Sequence, residues 1–177
     1  MSKRLFIAVP IPEDVKERLM NDINLPDNFK KTAKENLHIT LLFLGDTNKS
    51  LVPQLSSILS NILSSLNAFQ LSICRTGQFP PKGEPNIIYV TGDEGQRSLV
   101  ELAELVRNRL ELLDFSDNKK FKYHITVGRL KFSGNDQVIL PQLTQEYHFK
   151  VDRVILYESI LKPDGPEYIE LWKGYLQ

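Results

Sequence analysis

The chain holds one cysteine, Cys74, in 177 residues, so no internal disulfide and no multi-cysteine zinc site can form. With Leu71 and Ile73 as apolar neighbours, that thiol is expected to be buried and inert. No apolar run approaches the roughly 20 residues of a membrane-spanning helix, and no signal-peptide pattern precedes the strand-like opening segment. A cytoplasmic protein without a membrane partner is expected. Charge of one sign is not in excess either: 22 Lys and Arg balance 22 Asp and Glu, for a formal net charge of zero. The basic footprint of a long-duplex binder is therefore missing, although gripping an RNA end or a small nucleotide needs only local positive charge. Histidine is scarce, at three residues, and neither HExxH nor a compact His/Cys/Asp cluster occurs. A zinc site would be short of ligands, so neither a metal nor another cofactor is expected. Linkers and low-complexity tracts are absent too, and residues 1–177 are expected to form one bilobed domain that acts as a monomer.

What is present is hydrophobic periodicity. Residues 4–9 are an apolar β-prone run ended by Pro10 and Pro12, with a helix beginning near Glu13. Residues 36–43 (NLHITLLF) read as a strand closed by Gly45. Leu51, Leu55, Ile58, Leu59, Ile62, Leu63 and Leu66 follow the three-and-four spacing of one helical face. Phe69, Leu71 and Ile73 alternate as a half-buried strand does, and GQFPPKGEP (77–85) reads as a Pro/Gly loop. The order then repeats: a strand over 86–91, a helix over 98–113, a strand over 121–129 (FKYHITVGR), a weaker helical stretch near 138–143, and two strands over 149–161 and 168–175 joined by the turn Pro163-Asp164-Gly165-Pro166. Each half thus reads strand, helix, strand, helix, strand, as an internal duplication about a pseudo-two-fold axis would produce.

In each half the second strand carries His-Ile-Thr, at His38-Ile39-Thr40 and at His124-Ile125-Thr126, 86 residues apart. With 7 Thr in the chain, a given His has Thr two positions on by chance roughly 4% of the time, and two of three do so about 0.5% of the time. On a strand, residues i and i+2 share a face while i+1 points the other way. His38 and Thr40 should therefore emerge together, as should His124 and Thr126, with Ile39 and Ile125 turned into a core. Two such strands aim two imidazoles and two hydroxyls into one cleft. That suits in-line displacement at phosphorus, where a proton must be handled on each side of the reacting atom. Imidazoles titrating near pH 6.5 can serve one as base and one as acid, and the Thr hydroxyls can donate to the non-bridging oxygens. His148, in EYHFK, has no Thr two positions on and is expected to be an exposed structural residue.

The segments RLFIAVPIP (4–12), ENLHITLLFLG (35–45), GQFP (77–80), FKYHITVGRLK (121–131), LYESIL (156–161) and GPEY (165–168) occur in an order that resembles the two-histidine phosphoesterase superfamily. Within it, the chain resembles the RNA 2′,3′-cyclic phosphodiesterases, also called 2′-5′ RNA ligases. The resemblance implies an α+β fold of two lobes, each an antiparallel sheet with helices packed outside, around a central cleft. One lobe is assembled from both chain ends and the other from the middle. It implies that His38 is the proton donor to the leaving 3′-oxygen and His124 the proton acceptor, with the residues by themselves leaving those roles interchangeable. It also implies action on RNA 3′ ends bearing a 2′,3′-cyclic phosphate, tRNA halves being one such RNA, with a 2′-phosphomonoester product and a reversible 2′-5′ ligation.

Arg129 matches a basic position near the phosphate in that family, where a guanidinium makes charge-assisted hydrogen bonds. Phe43 and Tyr157 are expected to bind substrate by stacking on a base, and Phe6 and Phe79 are further aromatics in family-like segments, with packing in the core the alternative for each of the four. One departure stands out: Tyr123 precedes the second histidine where the family often has proline, and it is expected to act at the rim of the cleft. The same chemistry would also suit a small cyclic nucleotide or an ADP-ribose cyclic phosphate. A non-catalytic RNA-binding scaffold is the reading from another class, disfavoured by the intactness of both triplets.

Overall fold

The computed structural model describes residues 2–115, 120–132 and 138–177. The apolar opening run becomes β1 (Ser2–Pro10), in which Leu5 to Val9 are all buried. Such an unbroken run, without alternation, belongs to a strand covered on both faces. It pairs with β3 (His38–Asn48) on one side and β9 (Arg153–Lys162) on the other, and β10 (Gly165–Tyr175) completes a sheet of order β10-β9-β1-β3. A second sheet, of order β2-β7-β6-β5, takes β2 (Phe29–Lys31), β5 (Arg75–Phe79), β6 (Ile87–Thr91) and β7 (Ile125–Leu130). Every strand pairing among the described residues is antiparallel. The expected arrangement is therefore found: one sheet gathers the two chain ends and the other the middle.

Among the described residues three α-helices cover these sheets. Helix α1 (Glu13–Asp22) starts behind Pro12 with Glu13 and Asp14 in its first turn, where acidic groups favour the helix dipole. Helix α2 (Val52–Leu63) buries Leu55, Leu59, Ile62 and Leu63, and α3 (Gln96–Glu111) buries Leu99, Leu102, Val106 and Leu110, the faces that their periodicity predicts. Helix α2 lies against β10, and α3 against β3. Apolar side chains from the helices and both four-stranded sheets join in one buried cluster.

Several expectations change. A third sheet pairs β4 (Phe69–Ile73) with β8 (Tyr147–Val151) and ties the two halves of the sequence together. The expected strand over 149–161 is broken at Asp152 into β8 and β9, which serve different sheets. The strand expected to close at Gly45 runs on to Asn48, because Gly45, at φ 65°, accommodates a bulge instead of ending the strand. The Pro/Gly loop begins later than expected, since Gly77 to Phe79 belong to β5; Gly77 sits opposite Tyr89, whose ring fills the space that a Cβ would need. No helix forms over 138–143. Cys74 is partly exposed just past the end of β4, not buried. Among the described residues no helix is long and apolar enough to cross a membrane.

Candidate active site

The two triplets stand at the starts of β3 and β7, strands from different sheets that lie in contact. Strand alternation has the predicted result: Ile39 and Ile125 are fully buried, while His38, Thr40, His124 and Thr126 are half-buried on the opposite faces. Burying each isoleucine contributes roughly 1.5–3 kcal/mol, which fixes the face each histidine must take. β7 is formally paired only from Ile125, so His124 sits at the strand's threshold.

Immediately after each threonine the two strands do the same thing. Thr40 lies opposite Ala8 and Leu42 opposite Ile7, which leaves Leu41 as an extra residue. Thr126 lies opposite Tyr89 and Gly128 opposite Ile88, which leaves Val127 extra. A bulge shifts the alternation by one. The residues three beyond each threonine, Phe43 and Arg129, thereby return to the face of the triplets, and both are exposed. The pseudo-two-fold thus sets a phenyl ring on one strand against a guanidinium on the other.

The histidines are held alike. His38 Nδ1 is 2.7 Å from the Asn36 carbonyl and His124 Nδ1 is 2.8 Å from the Lys122 carbonyl. A carbonyl only accepts, so each Nδ1 carries a proton and each Nε2 is left free to accept one. In His38 that Nε2 lies 2.9 Å from Thr40 Oγ1, which donates to it. Rings fix both imidazoles: Phe6 and Tyr168 pack on His38 with centroids at 5.0 and 5.2 Å, and Phe79 and Tyr89 on His124 at 5.2 and 5.8 Å. Phe6 is stacked in turn on Tyr157 at 5.2 Å and lies 6.1 Å from Phe43. Tyr157 is therefore one ring removed from His38, whereas Phe43, 61% exposed, offers an open face.

Electrostatics disfavour positive charge on both rings. Burial pushes His38 down to about 4, assisted by the charges of His124, Lys16 and Arg129 and opposed by the Asn36 carbonyl. Burial also lowers His124, with Lys122 and Arg129 adding to the effect and the Lys122 carbonyl opposing it. Arg129 acts on both imidazoles, and its side chain has no hydrogen bond or ion pair among the described residues. The Lys122 ammonium is placed over Phe79 and Tyr89, 4.6 and 4.8 Å from their centroids. With Arg129 bearing on both imidazoles and Lys122 on His124, the surroundings of the pair favour an anion.

Tyr123 does not act at the rim. Its side chain is buried and its hydroxyl donates to the Ser72 carbonyl at 2.8 Å, while its own carbonyl accepts from Thr91 Oγ1 at 2.9 Å. It braces the entry to β7 from behind. His148 is exposed and paired with Glu94, as a structural histidine should be. Asn36 and Lys122 were not anticipated, although both stand two residues before a triplet and that shared offset could have marked them. Tyr168 and Tyr89 carry no such signal. Among the described residues no group of three or more His, Cys, Asp or Glu could hold a metal ion.

Comparison with known proteins agrees with this arrangement. The sequence model of the family described as LigT like Phosphoesterase matches twice, over residues 9–89 and 90–168, so each match takes in one of the two triplets. An RNA 2′,3′-cyclic phosphodiesterase of Archaeoglobus fulgidus is 32% identical over 174 residues, covering 95% of this chain and 97% of the relative. The enzyme of the same name from Thermotoga maritima is 31% identical, covering 96% and 94%. The crystal structure of TT0787 of Thermus thermophilus superposes with a TM-score of 0.85 at 30% identity, covering 98% of this chain and 97% of that one. With both halves matched, relatives aligned from end to end and two histidines on duplicated strands, the chain belongs to the LigT-like phosphoesterases.

Proposed function

We propose that the protein hydrolyses the 2′,3′-cyclic phosphate at the 3′ end of an RNA to a 2′-phosphomonoester, with His38 as proton donor and His124 as proton acceptor. The observation that carries this reading is the matched pair of imidazoles, each with Nδ1 tied to a backbone carbonyl and each within reach of the Arg129 charge. His124 Nε2 takes a proton from water as the water oxygen bonds to phosphorus. The bond from phosphorus to the 3′-oxygen breaks, and His38 Nε2–H protonates that oxygen. Thr40, Thr126 and Arg129 hydrogen-bond the non-bridging oxygens, where charge accumulates. His38 is neutral in the empty site, and the anionic phosphate favours its protonation on binding.

Phe43 gives the terminal base a face to stack on, and Tyr157 backs that platform through Phe6. The 177 residues act as one bilobed unit, because the site draws on β1, β3 and β10 from one sheet and β6 and β7 from the other. In the cell the substrate is a cytoplasmic RNA, of which tRNA halves ending in a cyclic phosphate are one kind. With a 5′-hydroxyl RNA in place of water, the same two groups run the step toward a 2′-5′ linkage. No step calls on a metal. Turnover of a cyclic-phosphate oligonucleotide is therefore expected to persist after exhaustive EDTA treatment and dialysis. Loss on chelation, with recovery on adding zinc or manganese, would recast the histidines as ligands.

A further inference from the structure

The two ring oxygens of a 2′,3′-cyclic phosphate are chemically near-equivalent, so a site with full two-fold symmetry would release either one. The Nδ1 anchors and one ring contact of His38 and His124 approach that symmetry. Beyond the shared carbonyl bonds to Nδ1, each imidazole meets one ring edge-on at the same distance: Tyr168 on His38 at 5.2 Å and 89°, Phe79 on His124 at 5.2 Å and 88°. These two rings differ by one phenolic hydroxyl.

That hydroxyl has no hydrogen-bond partner among the described residues, although Tyr168 is half-buried beside His38 and Phe6. The charges of Arg129 and Arg4 reach it. Its place is fixed. The β9–β10 hairpin that carries it is strapped to other parts of the fold by Asn36 Nδ2, which donates to the Pro166 carbonyl in β10 at 2.8 Å, and by Lys30 Nζ of β2, which donates to the Asp164 carbonyl in the turn at 2.9 Å. Asn36 is also the residue whose carbonyl holds His38. One residue thus sets the imidazole and the tyrosine relative to each other. Arg129 does not distinguish the sides, since it acts on both histidines.

We propose that the Tyr168 hydroxyl breaks the degeneracy of the site: it donates a hydrogen bond to a non-bridging phosphoryl oxygen beside His38 and so fixes which ring oxygen comes within reach of that imidazole. This rests on the reaction proposed above. Tyr168 is then a specificity-determining residue, and its deletion shows in the regiochemistry of the product. Tyr168→Phe keeps the ring contacts with His38 and Phe6, so the melting temperature should stay that of the wild type. The ratio of 2′- to 3′-phosphate, measured by chromatography after complete opening of a cyclic-phosphate oligonucleotide, should shift toward the 3′ isomer by up to about tenfold, the worth of one net hydrogen bond. An unchanged ratio overturns the proposal whatever happens to the rate. A wild-type protein that leaves the cyclic phosphate intact refutes the hydrolytic reading instead, before any variant is compared.

Discussion

Replacing His38 or His124 with alanine is expected to lower turnover by about 10²- to 10⁴-fold, the usual cost of losing a positioned acid or base. In the proposed reaction each imidazole handles a proton on one side of phosphorus only, and water is a poor substitute for a nitrogen held at a set distance. The double variant should be little worse than either single one, because acid and base act in the same step. Stability should change far less than rate. Both histidines are half-buried at the cleft, and the Asn36 and Lys122 carbonyls that they release can be met by water. Steady-state rates on a cyclic-phosphate oligonucleotide, with thermal melts of the same preparations, decide the matter. A variant with near wild-type turnover would remove that histidine from the chemistry.

The pH dependence should be as pronounced. In the proposed reaction the competent free enzyme carries one proton beyond the two on the Nδ1 atoms, shared over the two Nε2 positions, so kcat/KM should follow a bell whose limbs are the macroscopic values of the pair. Burial lowers both rings below the ordinary imidazole value of about 6.5, His38 to about 4. The sign follows from this: above both values neither ring is protonated and the acid is missing, and below both the base is missing. The maximum of kcat/KM should therefore lie on the acid side of pH 6.5, with the rate falling about tenfold per unit beyond each limb. In the complex the phosphate anion favours the protonated rings, so the bell in kcat should move to higher pH. Initial rates across a pH series at constant ionic strength test both statements. A flat profile with chemistry rate-limiting, or a kcat bell more acidic than that of kcat/KM, would contradict the electrostatics described.

The triplets were legible in the sequence because strand alternation is a local property: once His-Ile-Thr lies on a strand with its isoleucine in the core, the histidine's direction follows. The helices α2 and α3 were legible for a similar reason, each carrying an unbroken apolar stripe. What lay beyond reach depended on partners distant in sequence. The extra residues Leu41 and Val127 are defined only by what β1 and β6 place opposite them, and without those bulges Phe43 and Arg129 could not be assigned to the face of the triplets. Strand β5 was hidden because Arg75–Phe79 is polar and contains Gly77, which is there to make room for Tyr89. The break at Asp152 separates β8 from β9 with no change in apolar character to announce it. Tyr168 reaches His38 through a hairpin strapped by Asn36 and Lys30, contacts that span more than a hundred residues of sequence.

The identity of the product tests the central claim most directly, since it asks whether the paired histidines open a cyclic phosphate and from which side. An RNA oligonucleotide ending in a 2′,3′-cyclic phosphate, incubated with the metal-free protein and resolved against 2′- and 3′-phosphate standards, is expected to yield the 2′-phosphate. Recovery of the 3′-phosphate would reverse the orientation assigned to His38 and His124, and an unconsumed cyclic phosphate would contradict the account as a whole.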